Sequence, residues 1–427
     1  MATNLRALMI AALPLALVAP GGAVAADKVN LDFFCTSDTG GCEVWQDVLK
    51  GFEEKNPDIH VNVNHAPYRA ELESLPAQLA AGQGPDLAVV TNLGGLQKYY
   101  LDITPYIDAK YFEDNYGPTL PWLRGTDQSG KQIYGFQQSL TINGPFVNTT
   151  LFQQAGVPIP DAKATWEDWA TATQKVAQAT GTPAAMAMDR SGHRFASLAI
   201  SYGAQMIGDD GRPVIDDGFR KAAELLVQWH KDKVMPFSLW GAIGGATYAE
   251  DFDDFKNGQV VLNYAGSWAI GRMQKEVGDT FDWKAVPTPC GTSSCTAMPG
   301  GGAIVAFNTS KHPAEVGKVL NFMAQAENVG KVLAATAELP ANQSLVKQGL
   351  KYENLTPAQS DALATFNSVI PNIAPAAYKF QGYAYEIPYM NAIATRLSQV
   401  INGELTLDDA LNKIKDDVNL AIDSATK

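Results

Sequence analysis

The sequence predicts an α/β protein with two lobes, and three observations lead to this prediction. The chain has 427 residues, of which 46% are hydrophobic, so it is long enough for two cores of domain size. Strand patterns alternate with amphipathic helix patterns, which is typical of parallel βαβ units. No internal repeat and no low-complexity linker interrupts this alternation. We therefore expect strand-like crossings between the lobes rather than a flexible tether.

The predicted elements follow one another as strands and helices. "VNLDFFC" predicts a strand, "EVWQDVLKGFEEKNP" an amphipathic helix, and "IHVNVNHA" a strand with alternating polarity. The helix of "ELESLPAQLAAG" then precedes a buried strand in "GPDLAVVT". Farther on, "IYGFQQSLTING" predicts a strand and "TWEDWATATQKVAQAT" a helix that Thr165 can cap, with Glu167 and Asp168 in its first turn. The chain ends in a helical pattern, "TLDDALNKIKDDVNLAIDSAT".

The charge of the chain restricts its partners. Its 32 basic and 45 acidic side chains give a net charge of −13. This charge disfavours general binding to a nucleic-acid backbone or to an anionic membrane surface. An anionic ligand must therefore meet a local cluster of basic residues.

Residues 1–26 are predicted to be a signal peptide. Arg6 is the only charged residue before Asp27, and the apolar run "ALMIAALPLALVA" precedes the small residues of "PGGAVAA", which favours cleavage near Ala26. The alternative is a membrane anchor, but the run is shorter than the roughly 20 residues that a span needs. The residue directly after the cleavage site is Asp27 rather than a cysteine, which disfavours a lipid anchor. We therefore expect an exported, periplasmic protein.

The four cysteines predict two local disulfides. Cys35 and Cys42 lie seven residues apart in "CTSDTGGC", and Cys290 and Cys295 lie five apart in "CGTSSC". In an oxidising compartment, local pairing is favoured over the other two pairings that four cysteines allow. A metal site is the alternative, but neither pair has the C-x-x-C spacing and the five histidines are scattered. No metal and no cofactor is expected.

Seven segments together resemble one family. In chain order they are "FEEKNPDIHVNV", "LAAGQGPDLAVV", "YGFQQS", "FVNTTLFQQAGVPIP" followed by "TWEDW", "FKNGQVVLNYAGSW", "MPGGGAIVAF" and "ELPAN". Each segment alone is weak evidence for a family, whereas all seven in this order are specific evidence. They extend over nearly the whole chain after the signal peptide. The sequence resembles the extracellular solute-binding proteins of ABC importers (family 1), in the branch typified by maltose-binding protein.

This resemblance implies the type II periplasmic binding protein fold, in which two α/β lobes joined by three hinge crossings close on a ligand. The crossings are expected near Thr141, Gly301 and Leu345. The lobes are then predicted to comprise residues 27–141 plus 303–345 (N-lobe) and residues 142–302 plus 346–427 (C-lobe). The cleft between them is the expected ligand site, and hinge closure the expected motion.

Aromatic residues are the first candidates for ligand contact. Trp268 in "GSW" matches the family's stacking tryptophan, and an aromatic plane suits the C–H face of a sugar. Trp240 lies in the glycine-rich "SLWGAIGGATY", where no helix or strand pattern predicts its burial. Tyr383 and Tyr385 lie in "VIPNIAPAAYKFQGYAYEIPYM", which resembles the family's aromatic segment with a second stacking residue. Packing in the protein interior is the alternative role for each of the four.

Polar candidates come from strand ends and from one basic loop. Asp38 follows the first strand and Asn92 follows the strand of "PDLAVV", and the carboxyl ends of parallel strands share one edge of a sheet. Arg190, His193 and Arg194 cluster in "MAMDRSGHRF", a loop that the resemblance places on the cleft side of the C-lobe. Guanidinium groups bind carboxylates in a bidentate way. The cluster predicts an acidic, uronate-type sugar, and a salt-bridge cluster with nearby aspartates is the alternative.

The predicted function is that of the substrate-binding component of an ABC transporter. As a monomer, it would capture a sugar or oligosaccharide and deliver it to permease transmembrane subunits with a cytoplasmic ATPase. A polyol, a phosphorylated polyol or a polyamine is the alternative ligand within the same fold.

A secreted carbohydrate-active enzyme is the more remote alternative. Acidic residues such as Asp38, Glu338 and Glu386 could meet at the roughly 5 to 9 Å that a glycosidase needs. However, the esterase pattern G-x-S-x-G is absent, and "MPGGGA" lacks the lysine of a phosphate-binding loop. No enzyme is therefore expected.

Overall fold

The computed structural model describes Met1 and residues 28–37, 40–125, 129–241 and 249–425. The predicted signal peptide after Met1 lies outside the described residues. Within them, the strands are β1 (Val29–Thr36), β2 (Ile59–Ala66), β3 (Leu87–Val90), β4 (Gly135–Gln137), β5 (Ser139–Asn148), β6 (Ala184–Met188), β7 (Val260–Gly266), β8 (Trp283–Ala285), β9 (Pro299–Gly300), β10 (Ala303–Ala306) and β11 (Leu339–Pro340).

Helices surround these strands. They are α1 (Gly41–Lys55), α2 (Tyr68–Ala80), α3 (Ala109–Tyr116), α4 (Thr149–Ala155), α5 (Trp166–Thr180), α6 (Gly192–Ser201), α7 (Asp217–Lys231), α8 (Phe237–Trp240), α9 (Phe252–Lys256), α10 (Ile270–Arg272), α11 (Pro313–Met323), α12 (Ala326–Thr336), α13 (Gln343–Gln348), α14 (Pro357–Val369), α15 (Pro375–Gln381), α16 (Glu386–Ile401) and α17 (Leu407–Ala425). Short 3₁₀ helices include Leu120–Arg124 and Ser267–Ala269. In the part of the chain that the structure describes, no helix is both long and apolar enough to cross a membrane.

The first sheet forms the centre of one lobe. Its strand order is β2-β1-β3-β10-β4. β1 runs parallel to β2 and β3, whereas β10 runs antiparallel to β3 and β4. All four residues of β3 are buried, as expected for a central strand covered on both faces. Trp45 and Phe52 of α1 and Phe112 and Tyr116 of α3 belong to the core around this sheet.

The second sheet forms the centre of the other lobe. Its strand order is β11-β5-β7-β6, and β8 and β9 also pair with β5. β6 is parallel to β7, but the ten-residue β5 is antiparallel to β7. Two α/β lobes are therefore present as predicted, although each sheet is mixed rather than purely parallel.

The chain passes between the two sheets at three places. Only Gln138 separates β4 of the first sheet from β5 of the second, and two glycines separate β9 from β10. The third passage follows α12, where β11 pairs with β5. Gly301 has a φ of +115°, and a Cβ atom there would lie 2.2 Å from the carbonyl oxygen of Ser139, so that only glycine fits between the touching crossings. The residues at which each lobe begins and ends, predicted as 27–141 plus 303–345 for the first, stay a prediction.

Local sequence signals explain where the helices begin. At α5, the side chain of Thr165 accepts a hydrogen bond from the Asp168 amide (3.1 Å), and the Asp168 carboxylate accepts one from the Thr165 amide (2.9 Å). This capping box confirms the predicted role of Thr165. At α6, the hydroxyl of Ser191 accepts from the amide of His193 (3.2 Å). The prediction that Arg190, His193 and Arg194 share a loop is therefore wrong for His193 and Arg194, because the Ser191 cap starts α6 before them.

Both predicted disulfides are present. Cys35–Cys42 connects the end of β1 to the start of α1. Cys290–Cys295 closes a loop whose backbone donates two hydrogen bonds to the carbonyl of Ser201, at the end of α6. Each disulfide lies within one lobe, so neither links the lobes covalently.

The lobes also touch outside the crossings. The indole Nε1 of Trp122 donates to the carbonyl of Tyr378 in the other lobe (3.0 Å), and the two rings stack with centroids 5.7 Å apart. Gly94 approaches so closely that a Cβ atom there would lie 2.4 Å from the carbonyl oxygen of Gly382. These contacts hold the lobes together beside the cleft described next.

Candidate ligand-binding cleft

A cavity of ≈ 560 Å³ lies between the two lobes. Its walls come from the carboxyl ends of strands in both sheets, from α2 and α16, and from all three crossings. The volume lies within the roughly 300 to 1,000 Å³ that small-molecule sites occupy.

The first lobe supplies a wall of hydroxyl groups. Thr36 and Ser37 stand at the end of β1, and Thr91 directly follows β3, so the carboxyl ends of two parallel strands meet at the cavity. Tyr68 and Leu72 face it from successive turns of α2. This wall therefore offers several groups that can both donate and accept hydrogen bonds.

A buried acid lies beneath this wall. Glu71 of α2 is 1% exposed, and its carboxyl group accepts hydrogen bonds from the Thr91 amide (2.7 Å), the Thr91 hydroxyl (3.1 Å) and the Asn92 amide (3.3 Å). Burial raises the pKa of Glu71 to about 7, and the hydrogen bonds from Thr91 and Asn92 oppose this rise. The hydroxyl of Tyr68 lies 3.2 Å from that of Thr91, which extends the network to the cavity.

The second lobe supplies a wall of aromatic and basic side chains. The guanidinium carbon of Arg194 lies 4.2 Å from the ring centroid of Trp268, in the geometry of a cation–π contact. On its other side, Arg194 forms a buried ion pair with Asp189 (2.8 Å). Burial raises the pKa of Asp189, and the charge of Arg194 opposes this rise. Arg194 is therefore fixed from two sides.

Trp268 keeps its place because position 266 has no side chain. A Cβ atom at Gly266 would lie 1.9 Å from the Trp268 ring, so the ring packs directly on the last residue of β7. The side chain of the intervening Ser267 is small. Its hydroxyl accepts a hydrogen bond from the Ile142 amide (3.1 Å), and this bond connects the turn to β5. The "GSW" sequence thus sets an aromatic plane at the cavity wall.

His193 belongs to the same wall, and its ring is held by hydrogen bonds to neighbouring segments. One ring nitrogen lies 2.8 Å from the side-chain oxygen of Gln381 and 3.2 Å from the carbonyl of Pro299, and the other lies 3.0 Å from the amide nitrogen of Asn143. Burial, with the charge of Arg194, lowers the pKa of His193 to about 4. A neutral ring that donates to Gln381 and accepts from Asn143 satisfies both nitrogens.

Arg190 completes the basic segment at the cavity. Its side chain lines the cavity, although the residue is only 7% exposed. Its backbone pairs with that of Ala249, with the Arg190 amide donating at 2.8 Å. Burial lowers the pKa of this guanidinium, which starts so far above neutrality that the charge is retained.

One face of α16 forms a further part of the wall. Glu386, Ile387, Met390, Asn391 and Ala394 recur at helical spacing and line the cavity. Sequence reasoning missed this face as a ligand-contact surface. Its helical period could have revealed one buried stripe, but not that the stripe faces a cleft.

Four of the predicted site residues meet at this cavity: Trp268, Arg190, His193 and Arg194. Trp240 requires a correction. It ends the short helix α8, is 1% exposed, and its Nε1 donates to the carbonyl of Met188 (2.8 Å). The expectation that no element buries Trp240 is therefore wrong, because a helical turn and the end of β6 enclose it.

Three other predicted residues are not among the described residues that line the cavity. Asn92 is partly buried beside Thr91, and its backbone amide donates a hydrogen bond to the carboxyl group of Glu71. The hydroxyl of Tyr383 donates to the carbonyl of Gly211 (2.6 Å), and its ring packs edge-on against Tyr385, just before α16. Both tyrosines thus pack within the second lobe. Asp38 lies outside the described residues.

A second, larger groove of ≈ 940 Å³ runs between α12, α13 and the segment after α10. Its charged residues largely pair with one another, as in Arg272–Glu276 (3.2 Å) and Lys331–Glu327 (2.9 Å). No aromatic side chain is among the described residues that line it. The interlobe cavity is therefore the better candidate for a ligand site.

The cavity combines an aromatic plane with hydroxyl, amide, carboxyl and guanidinium groups. Such a set can bind a small polar ligand that also has an apolar face. Together with the three crossings, it defines a two-lobed ligand-binding protein.

Comparison with known proteins gives the family. The family model for bacterial extracellular solute-binding proteins matches residues 39–330. The chain belongs to this family, and the resemblance seen in its sequence is confirmed. The family consists of binding proteins rather than enzymes.

Individual relatives agree with this assignment. The maltodextrin-binding protein of Bacillus subtilis is 25% identical over 385 residues, which cover 88% of this chain and 87% of that protein. The arabinooligosaccharide-binding protein of the same organism is 26% identical over 307 residues, covering 68% of each chain. An ABC substrate-binding protein from Listeria monocytogenes, solved in complex with cycloalternan, has a TM-score of 0.75 at 22% identity, covering 93% of this chain and 99% of that one. This structure confirms the predicted fold.

Proposed function

We propose that the protein binds a sugar or oligosaccharide in the interlobe cavity and serves as the substrate-binding component of an ABC importer. The observation that carries the proposal is the plane of Trp268, fixed against Gly266 and flanked by groups that hydrogen-bond hydroxyls. A sugar ring presents C–H groups on its faces and hydroxyls around its edge, which matches this arrangement. The relatives that bind maltodextrin and arabinooligosaccharide support the same ligand class.

An acidic, uronate-type sugar is our finer proposal. The guanidinium groups of Arg190 and Arg194 both belong to the cavity wall, and Arg194 also pairs with Asp189 (2.8 Å). A buried guanidinium binds a carboxylate more strongly than an exposed one, because less water competes. Replacing Arg190 with methionine should therefore weaken a uronate far more than a neutral sugar.

Delivery to a membrane permease with a cytoplasmic ATPase follows from the family and completes the proposal. The apolar segment within residues 1–26 supports export with cleavage near Ala26. Glu338 and Glu386 both line the cavity, but membership of a family of binding proteins favours ligand binding over glycoside hydrolysis.

Calorimetric titration of residues 27–427 against a ligand panel tests the proposal. The panel comprises maltotriose, arabinotriose, trigalacturonate, sorbitol, sorbitol phosphate and spermidine. A ligand that binds the folded protein also raises its melting temperature by mass action, which gives an independent readout.

The panel separates the alternatives. Binding of trigalacturonate alone supports both the sugar and the uronate proposal, and binding of a neutral trisaccharide supports the first and contradicts the second. Binding of only spermidine or a polyol would overturn the ligand class.

A further inference from the structure

The carboxyl group of Glu386 is buried at the ligand cavity, and one of its oxygen atoms has no hydrogen-bond partner among the described residues. Glu386 is the first residue of α16 and is 2% exposed, yet it lines the cavity. Its Oε1 atom is buried and has no hydrogen-bond partner among the described residues. Buried polar atoms in proteins are nearly always paired, so this exception needs an explanation.

Glu386 differs in this respect from the other buried acid at the cleft. Glu71 is equally enclosed, but its carboxyl group accepts three hydrogen bonds from Thr91 and Asn92. Burial raises the pKa of Glu386 well above its usual range, with no opposing contribution from a neighbour. The uncharged form is therefore favoured, and it has one O–H donor and one acceptor to offer a ligand.

The carboxyl group also lies opposite the first lobe. Tyr68 of α2 is within electrostatic reach of both Glu386 and Arg194. A ligand held between α2 and α16 therefore shares the cavity with both Glu386 and the Arg194–Trp268 pair.

We propose that Glu386 is a specificity-determining residue of the cleft, whose carboxyl group forms hydrogen bonds with a hydroxyl group of the bound sugar. This inference rests on the proposed sugar-binding function. A sugar bound in this way has a hydroxyl group towards α16, and the proposed acidic sugar has its carboxylate near Arg190, which defines its orientation in the cavity.

An unpaired buried carboxyl group destabilises the protein that carries it, and the ligand relieves this cost. A residue with a purely structural role would behave in the opposite way, because its removal would lower stability. The two roles can therefore be distinguished in the ligand-free protein.

The test compares three variants of residues 27–427. Glu386→Met removes the polar group at similar length, Glu386→Gln keeps a donor and an acceptor, and Glu71→Met is the control in which a partnered buried acid is removed. Melting temperatures are measured without ligand. Affinity is measured by calorimetry with whichever of maltotriose, arabinotriose and trigalacturonate binds the wild type most tightly.

We expect Glu386→Met to raise the ligand-free melting temperature by about 1–3 °C, whereas Glu71→Met lowers it. Glu386→Met should also weaken sugar binding by about tenfold, and Glu386→Gln by less than about threefold. Unchanged affinity of Glu386→Met, or a lowered melting temperature, overturns the proposal.

The remaining outcomes are also decisive. If Glu386→Gln loses as much affinity as Glu386→Met, the group acts as a carboxylate towards a ligand cation, and hydroxyl pairing is wrong. If no sugar of the panel binds the wild type, the proposed function fails. The ligand-free melting temperatures then still decide whether the enclosed carboxyl group has a structural role.

Discussion

The two walls of the cleft differ in the buried group that their polar residues contact. In the first lobe this group is an acid, Glu71, and in the second lobe it is a base, His193. Burial disfavours the charged form of both groups, which raises the pKa of Glu71 to about 7 and lowers that of His193 to about 4. The same physical effect therefore makes the two walls respond to pH in opposite directions. The comparison also separates their roles, since hydroxyl groups face the ligand on one side and Trp268 with Arg194 on the other.

The largest expected effect concerns Glu71. Its folded-state pKa lies above that of an unfolded glutamate, so its contribution to stability is complete below about pH 4.5 and is lost as the pH rises through about 7. Relative to Glu71→Gln, the wild type should lose on the order of 3 kcal/mol of unfolding free energy across this interval. Urea denaturation at several pH values measures it, and a difference that stays constant with pH would contradict the assignment.

His193 should show the opposite slope. Its folded-state pKa lies below that of an unfolded histidine, so its contribution is present above about pH 6.5 and is lost as the pH falls through about 4. Relative to His193→Gln, the wild type should lose on the order of 3 kcal/mol on acidification, by the same denaturation series. The double variant serves as control and should show neither slope. Parallel slopes for the two single variants would remove the distinction between the walls.

The unequal ligand contacts of the walls are tested next. Trp268→Ala should weaken sugar binding by roughly 1 to 3 kcal/mol, since an aromatic anchor is lost while the fold is kept. Tyr68→Ala, from the opposite wall, should cost less because it removes a smaller ring, and Tyr106→Ala serves as a control on the protein surface. Calorimetric affinities for the best-binding sugar decide the order. Equal losses at Trp268 and Tyr106 would remove Trp268 from the site.

The smallest expected effect concerns the support of the aromatic plane. Gly266→Ala would place a methyl group where the Trp268 ring lies, so the ring must move and sugar affinity should fall by roughly 1 to 2 kcal/mol. Gly51→Ala is a matched control, because a Cβ atom there meets no neighbour within 4 Å. Near-ultraviolet circular dichroism should report the displaced indole. An unchanged spectrum and unchanged affinity would show that position 266 does not support the ring.

Residues near the ends of strands could be predicted from the sequence, whereas residues on distant helices could not. Trp268 and the segment around Arg190 each follow an apolar strand, and the carboxyl edge of such strands faces the cleft. Glu386 and Met390 lie on a helix far along the chain, and their place at the cavity depends on how the crossings set one lobe against the other.

Two aromatic residues, Trp240 and Tyr383, are difficult to place from the sequence for a related reason. The glycine-rich segment around Trp240 favours an exposed position for it, whereas the family resemblance indicates a stacking role for Tyr383. In the structure, the carbonyl groups of Met188 and Gly211 accept hydrogen bonds from their polar atoms, so both rings can be buried without an unpaired donor. Such partners come from other elements of the fold and leave no local signal.

The placement of the disulfides has a consequence for biosynthesis. Each cysteine meets its partner within seven residues, so in the proposed export from the N-terminus onwards Cys35 and Cys42 reach the oxidising compartment almost together and before Cys290. The first bond can therefore form before any competing thiol has been exported, and the second pair then meets a first pair that is already oxidised. Correct pairing then follows from the order of export, and we expect little dependence on a disulfide isomerase.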